Sequence, residues 1–203
     1  MKRPPQLDVS ELPTVVFGSR TTLWWGVTGL ITIEGTVFAI VAATYFYLRG
    51  GAVEWPPPGV SQPPLALTTA FLAVLLASLA PMHWTNKAAL RGDLRGIQIW
   101  LAVTTVLGAA CLVMRGFEFS LLSYEWRSHA YGSVVWTILS LHTLHLLTSI
   151  GENVLFLVLL AKGPVEDKHL LDVTVNGLYW FFVVAAWVPF YFILYMDPGL
   201  FRP

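Results

Sequence analysis

Five apolar stretches, each long enough to cross a bilayer as a helix, dominate this chain. A spanning helix needs about 20 mostly apolar residues. The stretches run from about Leu23 to Leu48, Leu65 to Ala89, Ile97 to Arg115 with an extension to Phe119, Gly132 to Ala161, and Val173 to Met196. Hydrophobic residues make up 56% of the chain and charged ones only 12%, about half the charge of an ordinary soluble domain. A chain with so little polar surface needs lipid as part of its solvent. The expected fold is therefore all-α, an integral membrane bundle of five transmembrane helices. Pro81 and Pro189 fall inside two of the stretches and are expected to kink them, which neighbouring helices tolerate.

The links between stretches are short, so sequence neighbours are expected to run antiparallel. Gly50 to Pro64 holds Trp55-Pro56-Pro57-Pro58-Gly59, a stiff turn. Lys87 to Arg95 reads as a tight basic loop, Gly116 to Tyr131 as a longer amphipathic one, and Lys162 to Asp172 as a polar one. Residues 1–20 read as a polar N-terminal tail without the apolar region of a signal peptide, and residues 21–203 as one five-helix membrane domain.

Lys2, Arg3, Arg20, Lys87, Arg91, Arg95, Lys162 and Lys168 fall on one side of such a bundle, and Arg49, Arg115, Arg127 and Arg202 on the other. The excess of basic residues marks the inner side. The N-terminus is expected inside and the C-terminus outside. Trp24, Trp25, Trp55, Trp126 and Tyr131 lie near proposed helix ends, as interfacial aromatics do. The net charge is zero, which offers no argument for a nucleic-acid partner. The lone cysteine, Cys111, excludes a disulfide framework and a multi-cysteine metal site.

Ionisable groups inside a membrane are costly, so each is a functional candidate. Glu34 sits near the middle of the first stretch, among Ile31, Ile33, Val37 and Phe38. It reads either as a proton-relay carboxylate or as a protonated acid packed against a neighbouring helix, the second weighing more. His142 and His145 stand three apart on one face of the fourth stretch, with Glu152 about two turns further on. A histidine pair at this spacing invites a metal, but di-iron bundles also need Glu-x-x-His on two helices, and no Glu-x-x-His occurs here. A bis-histidine haem would need a ligand on a facing helix, and His83 and His129 lie nearer helix ends. Interhelical hydrogen bonding is the stronger reading for the pair. No metal site is expected.

Arg115 and Glu118, again three apart, are expected to form an ion pair near the interface. Lys162, Lys168 and His169 read as a solvated inner loop, with an anionic lipid headgroup as the functional alternative. Two contacts follow from cost. Glu34 should meet the fourth helix near His142 or His145, and Glu152 should face protein or the inner interface rather than lipid. No nucleophile–base pair, phosphate-cradling glycine loop or cofactor fingerprint occurs, so no catalytic residue is expected.

These residues together resemble a known family. Trp24-Trp25-Gly26 followed by Glu34 resembles the first of five shared helices of cytochrome c oxidase subunit III. Trp55-Pro56-Pro57 is similar to its Trp-Pro-Pro loop, and Glu118 is placed like the acid closing the next-but-one helix. Tyr131-Gly132-Ser133 with His142-x-x-His145 resembles the penultimate helix, and Tyr179-Trp180 with Trp187 the last. Phe181 and Val184 stand where the family often has His and Asp. The family's long form has seven helices, so this chain is similar to the short, five-helix form. The lipid cleft of long forms is incomplete here unless another subunit supplies two helices.

The resemblance implies a non-catalytic membrane subunit of a haem-copper terminal oxidase, which reduces oxygen and pumps protons. It implies haem and copper in a partner catalytic subunit I, with a subunit II beside it, and none in this chain. Phospholipid contact, a stabilising role and a bacterial inner-membrane location are further expectations. Glu34, Glu118, His142, His145 and Glu152 are expected as buried polar, lipid or subunit contacts. Short relatives associated with quinol oxidases and nitric-oxide reductases leave the electron donor open. A self-contained His-metal membrane enzyme and a small channel through Glu34 remain as weaker readings.

Overall fold

The computed structural model describes residues 16–61 and 64–196, and every regular element among them is helical. After a 3-10 turn at Gly18–Arg20, helix α1 spans Thr22–Gly50, α2 Leu65–Ala77, α3 Leu79–Leu90, α4 Leu94–Ser120, α5 Ala130–Lys162 and α6 Asp167–Tyr191. A π-helical stretch, Phe192–Met196, continues α6. Helices α2 and α3 together form one span, so five spans are long and apolar enough to cross a membrane. Most of the N-terminal tail, with Lys2 and Arg3, and Arg202 at the other end lie outside the described residues.

The helices begin earlier than the apolar stretches because polar residues cap them. The Thr21 side chain accepts from Trp24 N at 3.2 Å, Asp93 Oδ1 from Gly96 N at 3.0 Å, and His129 Nδ1 from Gly132 N at 2.8 Å. At α6, Glu166 and His169 form a reciprocal capping box, with His169 Nδ1 accepting from Glu166 N at 3.0 Å. Each cap satisfies N–H groups that the first turn leaves without a partner. Lys168, His169 and Asp172 therefore belong to the first turns of α6 rather than to a polar loop. Lys87 likewise belongs to α3, and the basic loop shrinks to Arg91, Gly92 and Asp93.

The break between α2 and α3 falls at Ser78, three residues ahead of Pro81. Proline has no N–H to give to the carbonyl four residues back, here Ala77, and its ring crowds that carbonyl. The Ser78 hydroxyl turns back to Leu75 O and in turn accepts from Trp180 Nε1 at 3.0 Å, tying the interruption to α6. Helix α6 passes through Pro189 before widening into the π-helical stretch.

Burial follows a three-four spacing. On α4 the buried residues are Ile97, Leu101, Thr104, Gly108, Cys111, Arg115 and Glu118. Across α2 and α3, Thr68, Phe71, Leu75, Ser78, Met82, Thr85 and Ala89 repeat the rhythm. A seven-residue repeat of this kind keeps one seam facing a neighbouring helix. Helix α4 packs on α2, α3 and α5, while α6 packs on α1, α2, α3 and α5. Half of the most apolar stretch of α6 is buried, against 6% for α1, so α6 is the bundle's centre and α1 its rim.

Between helices in lipid, close packing and a few polar links replace the hydrophobic effect. Gly108 shows how close that packing is. A Cβ there would lie 2.8 Å from Trp180 Cη2 and 2.9 Å from Ile150 Cγ1. Gly177 likewise makes room for the Asn86 amide, which any larger side chain would strike.

Candidate functional site

The buried charges gather in two clusters on different parts of α5. The first joins α4, α5 and α6. Arg115 Nη1 lies 2.6 Å from Glu118 Oε2, with both side chains buried. The guanidinium sits between two aromatic faces, its Cζ 4.1 Å from the Phe71 ring centre and 4.0 Å from that of Trp187. Such cation–π contacts gain strength when desolvated. Arg115 Nη2 approaches His142 Nδ1 at 3.4 Å, and His142 Nε2 lies 3.2 Å from Val183 O. An arginine only donates, so Nδ1 accepts and Nε2–H donates to the carbonyl. Both ring nitrogens of His142 are thereby engaged within the protein. Tyr195, from the π-helical stretch, donates to Glu118 Oε1.

The expected ion pair is present, and both its side chains are buried between helices. Arg115 and Glu118 are interior residues, and Arg115 is not a loop charge of the outer side. A buried arginine without its carboxylate is strongly destabilising, so the i, i+3 spacing brings the neutralising charge on the same helix face. Tyr131, expected at the interface, is buried against Trp55 and Tyr124, with ring centres at 5.0 and 5.6 Å. Tyr124 lies in the loop after α4, where burial and the neighbouring Tyr131 push its phenol above the usual range.

The second cluster joins α1 and α5. Glu34 Oε2 is 3.6 Å from His145 Nε2, within ion-pair reach but beyond hydrogen-bond length. His145 Nδ1 lies 2.7 Å from Leu141 O and donates to it, leaving Nε2 turned to the carboxyl group. The Phe38 ring covers this histidine at 5.0 Å. His142 and His145 thus point to different helices and serve different neighbours, although their spacing suggests one shared face. Among the described residues no three His, Cys, Asp or Glu side chains are grouped to hold a metal ion.

A cleft of about 500 Å³ opens beside Glu34, between α1, α5 and α6. Its polar lining is Glu34, Thr148, Glu152, Asp172, Asn176 and Tyr179, and Leu23, Val27, Leu30 and Leu155 form apolar walls. Glu152 is exposed within it rather than packed on protein. Behind Asn176, its Nδ2 donates to Asn153 Oδ1 at 2.7 Å, and Asn153 is fully buried. Neither asparagine nor Asp172 stands out in the sequence. The signal was there for Asn153, which follows His142, Leu146 and Ser149 along the buried stripe of α5.

At the start of α6, Lys168 Nζ is bound to Glu166 Oε2 at 2.8 Å, and both side chains are exposed. That ammonium holds the Glu166 carboxyl below the usual carboxylate range. His169 caps its own helix. The basic trio is thus partly occupied with itself, and Lys162 ends α5 separately.

Five spanning helices enclosing paired charges define a polytopic helical membrane protein. The sequence model of cytochrome c oxidase subunit III matches residues 14–198. A cytochrome c oxidase subunit 3 of Thermostichus vulcanus is 27% identical over 166 residues, covering 80% of this chain and 81% of that protein. A probable cytochrome c oxidase subunit 3 of Nocardia farcinica is 32% identical over 171 residues, covering 81% and 83%. The subunit 3 of Oryctolagus cuniculus is 28% identical, and the matched region is 70% of this chain but 54% of that longer protein. The chain belongs to the cytochrome c oxidase subunit III family, and it is a multi-pass membrane subunit of a multi-subunit haem-copper oxidase.

Proposed function

We propose that this chain is a non-catalytic subunit that packs on the catalytic subunit I, beside subunit II, and keeps the oxidase intact during turnover. The observation that carries the reading is the state of His142. Both its ring nitrogens are engaged by Arg115 and Val183, which leaves no lone pair for a metal. This reading assigns haem and copper to the partner subunits. The names of the relatives favour cytochrome c over quinol as electron donor. Basic residues at the α3–α4 turn and the end of α5 favour an N-terminus on the inner side of the membrane, and the bacterial relatives favour a bacterial plasma membrane. Lys162, with Lys168 and His169 beside it, is the proposed headgroup contact for anionic lipid.

The physical role follows from packing. A bundle seated on a partner removes that partner's surface from water and lipid without contributing to its core. Depleting this chain from the complex should leave haem and copper content unchanged and much of the initial rate intact. Activity should then decay faster during turnover. Immediate loss of haem or copper, with the remaining subunits folded, would overturn the reading.

A further inference from the structure

We infer that one ordered water is bound inside the bundle, among α3, α4, α5 and α6, with Ser149 and Asn153 as its donors and Asn86 and Thr104 as its acceptors. The inference rests on the helical fold and not on which oxidase the chain serves. The buried apolar side chains do not form one continuous core. A large cluster includes Leu101, Leu146, Ile150 and Trp180, and a smaller one near the α3–α4 turn joins Ala88, Ala89, Ile97, Leu160 and Val173. Polar side chains occupy the level between them. Gln98 Nε2 donates to Leu160 O at 2.9 Å, and Gly108 meets Ile150. These two contacts set α4 antiparallel to α5 and bring Thr104 and Asn153 to about the same level. Asn153 Oδ1 accepts from Asn176 on α6, and the Asn86 amide of α3 lies against the next residue of α6, Gly177. Four helices thus supply polar groups at one level, about 14 Å from the end of α5.

The hydrogen bonding at this level is incomplete in a complementary way. Among the described residues, Asn153 Nδ2 and Ser149 Oγ have no partner, and both side chains are fully buried. The enclosed Asn86 Oδ1 has none either. Thr104, also fully buried, donates from Oγ1 to Trp100 O at 3.0 Å and keeps a lone pair for a further donor. Two donors therefore stand against two acceptors. Leaving such groups unpaired is costly, and an ordered water with two to four polar partners is the usual remedy.

Ser149 and Asn153 stand one turn apart on the buried stripe of α5, where Cβ atoms are about 6 Å from each other. Two hydrogen bonds of about 2.9 Å span that gap. A water held there accepts from Ser149 and Asn153 and donates to Asn86 and Thr104, which completes its own four bonds. The Asn153 N–H in this shell favours water over a cation. Its carbonyl oxygen is already taken by Asn176, so only the donor end of the amide is offered. The guest ties four helices together where apolar contact between them lapses.

The sign of a stability change tests the site. Removing an unpaired buried hydroxyl relieves a protein, whereas removing one that holds a water takes a partner from that water. Ser149→Ala in the assembled, purified complex should therefore lower the thermal midpoint, by roughly 2–4 °C. Asn86→Ala should do likewise. The double variant should lose less than the sum, because both side chains serve one guest. A high-resolution cryo-electron map of the unaltered complex should show density within about 3.2 Å of both Ser149 Oγ and Asn153 Nδ2. That map needs no variant, so it decides even where a variant fails to assemble. A raised or unchanged midpoint for Ser149→Ala, additive losses in the double variant, or a map that resolves other internal waters but not this one would each overturn the site. A midpoint that climbs with added sodium or potassium ions would assign the density to a cation and overturn it as well.

Discussion

Arg115 and Glu118 form a 2.6 Å ion pair inside the bundle, closed over by the rings of Phe71 and Trp187. Taking two charges out of water and lipid is costly, and the pair persists because further donors and acceptors saturate it. Here Tyr195 and His142 supply two such bonds, while Arg115 Nε is left without one among the described residues. Removing one partner is expected to cost about 3–5 kcal/mol, since the other charge is left buried and uncompensated. Glu118→Gln and Arg115→Met should each lower the thermal midpoint of the purified complex sharply. The double variant should recover much of the loss. A loss in the double variant equal to the sum of the two single losses would mean that the two side chains act independently.

Tyr195 brings the π-helical end of α6 onto this pair. A hydrogen bond to a charged group contributes about 1.5–3 kcal/mol. Tyr195→Phe should therefore destabilise by that order in a denaturation experiment while leaving helix content unchanged by circular dichroism. A neutral result would show that the Glu118 carboxylate is satisfied without the phenol.

Glu34 tolerates a neutral replacement. His145 donates from Nδ1 to Leu141 O and turns Nε2 to the Glu34 carboxyl group. A glutamine amide offers that nitrogen both a donor and an acceptor in the same place. Glu34→Gln should preserve assembly, with a change of about 1 kcal/mol or less, in line with other interhelical polar contacts in membranes. Failure of Glu34→Gln to assemble would show that the charge itself is required.

Gly108 has no room for a side chain beside Trp180 and Ile150. Overpacking of this kind costs about 1–3 kcal/mol. Gly108→Ala should lower the thermal midpoint, whereas Gly151→Ala, with nothing within 4 Å of its added carbon, should not. Equal behaviour of the two would disprove the close contact between α4, α5 and α6.

The Glu166–Lys168 pair has a pH signature. The carboxyl is held below its ordinary value in the folded protein. Its contribution is therefore present above the unfolded glutamate pKa and fades as pH falls through the folded one. Both groups are exposed, so salt should weaken the effect. An NMR titration of the Glu166 carboxyl in detergent should give a depressed midpoint that relaxes toward the ordinary value in high salt. A midpoint indifferent to salt would refute the pairing.

The five spans and the family were legible in the sequence because length and hydropathy are local properties. A bilayer accepts only segments that satisfy their own backbone, and about 20 apolar residues meet that condition whatever packs beside them. The helix ends were less legible, since Asp93, His129 and Glu166 extend three helices through polar residues that hydropathy assigns to loops. Which face of each helix is buried was half written. The three-four repeat from Ile97 to Glu118 places Arg115 on the seam of α4, yet a basic residue near a span's end reads first as a loop charge. Direction needed the tertiary structure. The histidines at i and i+3 look like one pair, but α5 meets α4 with one part of its buried face and α1 with another, and α6 packs on both α5 and α1. His142 therefore meets Arg115, and His145 meets Glu34. Nor does the sequence bring Glu34, Glu152 and Asp172 to one cleft, because they lie on three helices and only the packing of those helices makes them neighbours.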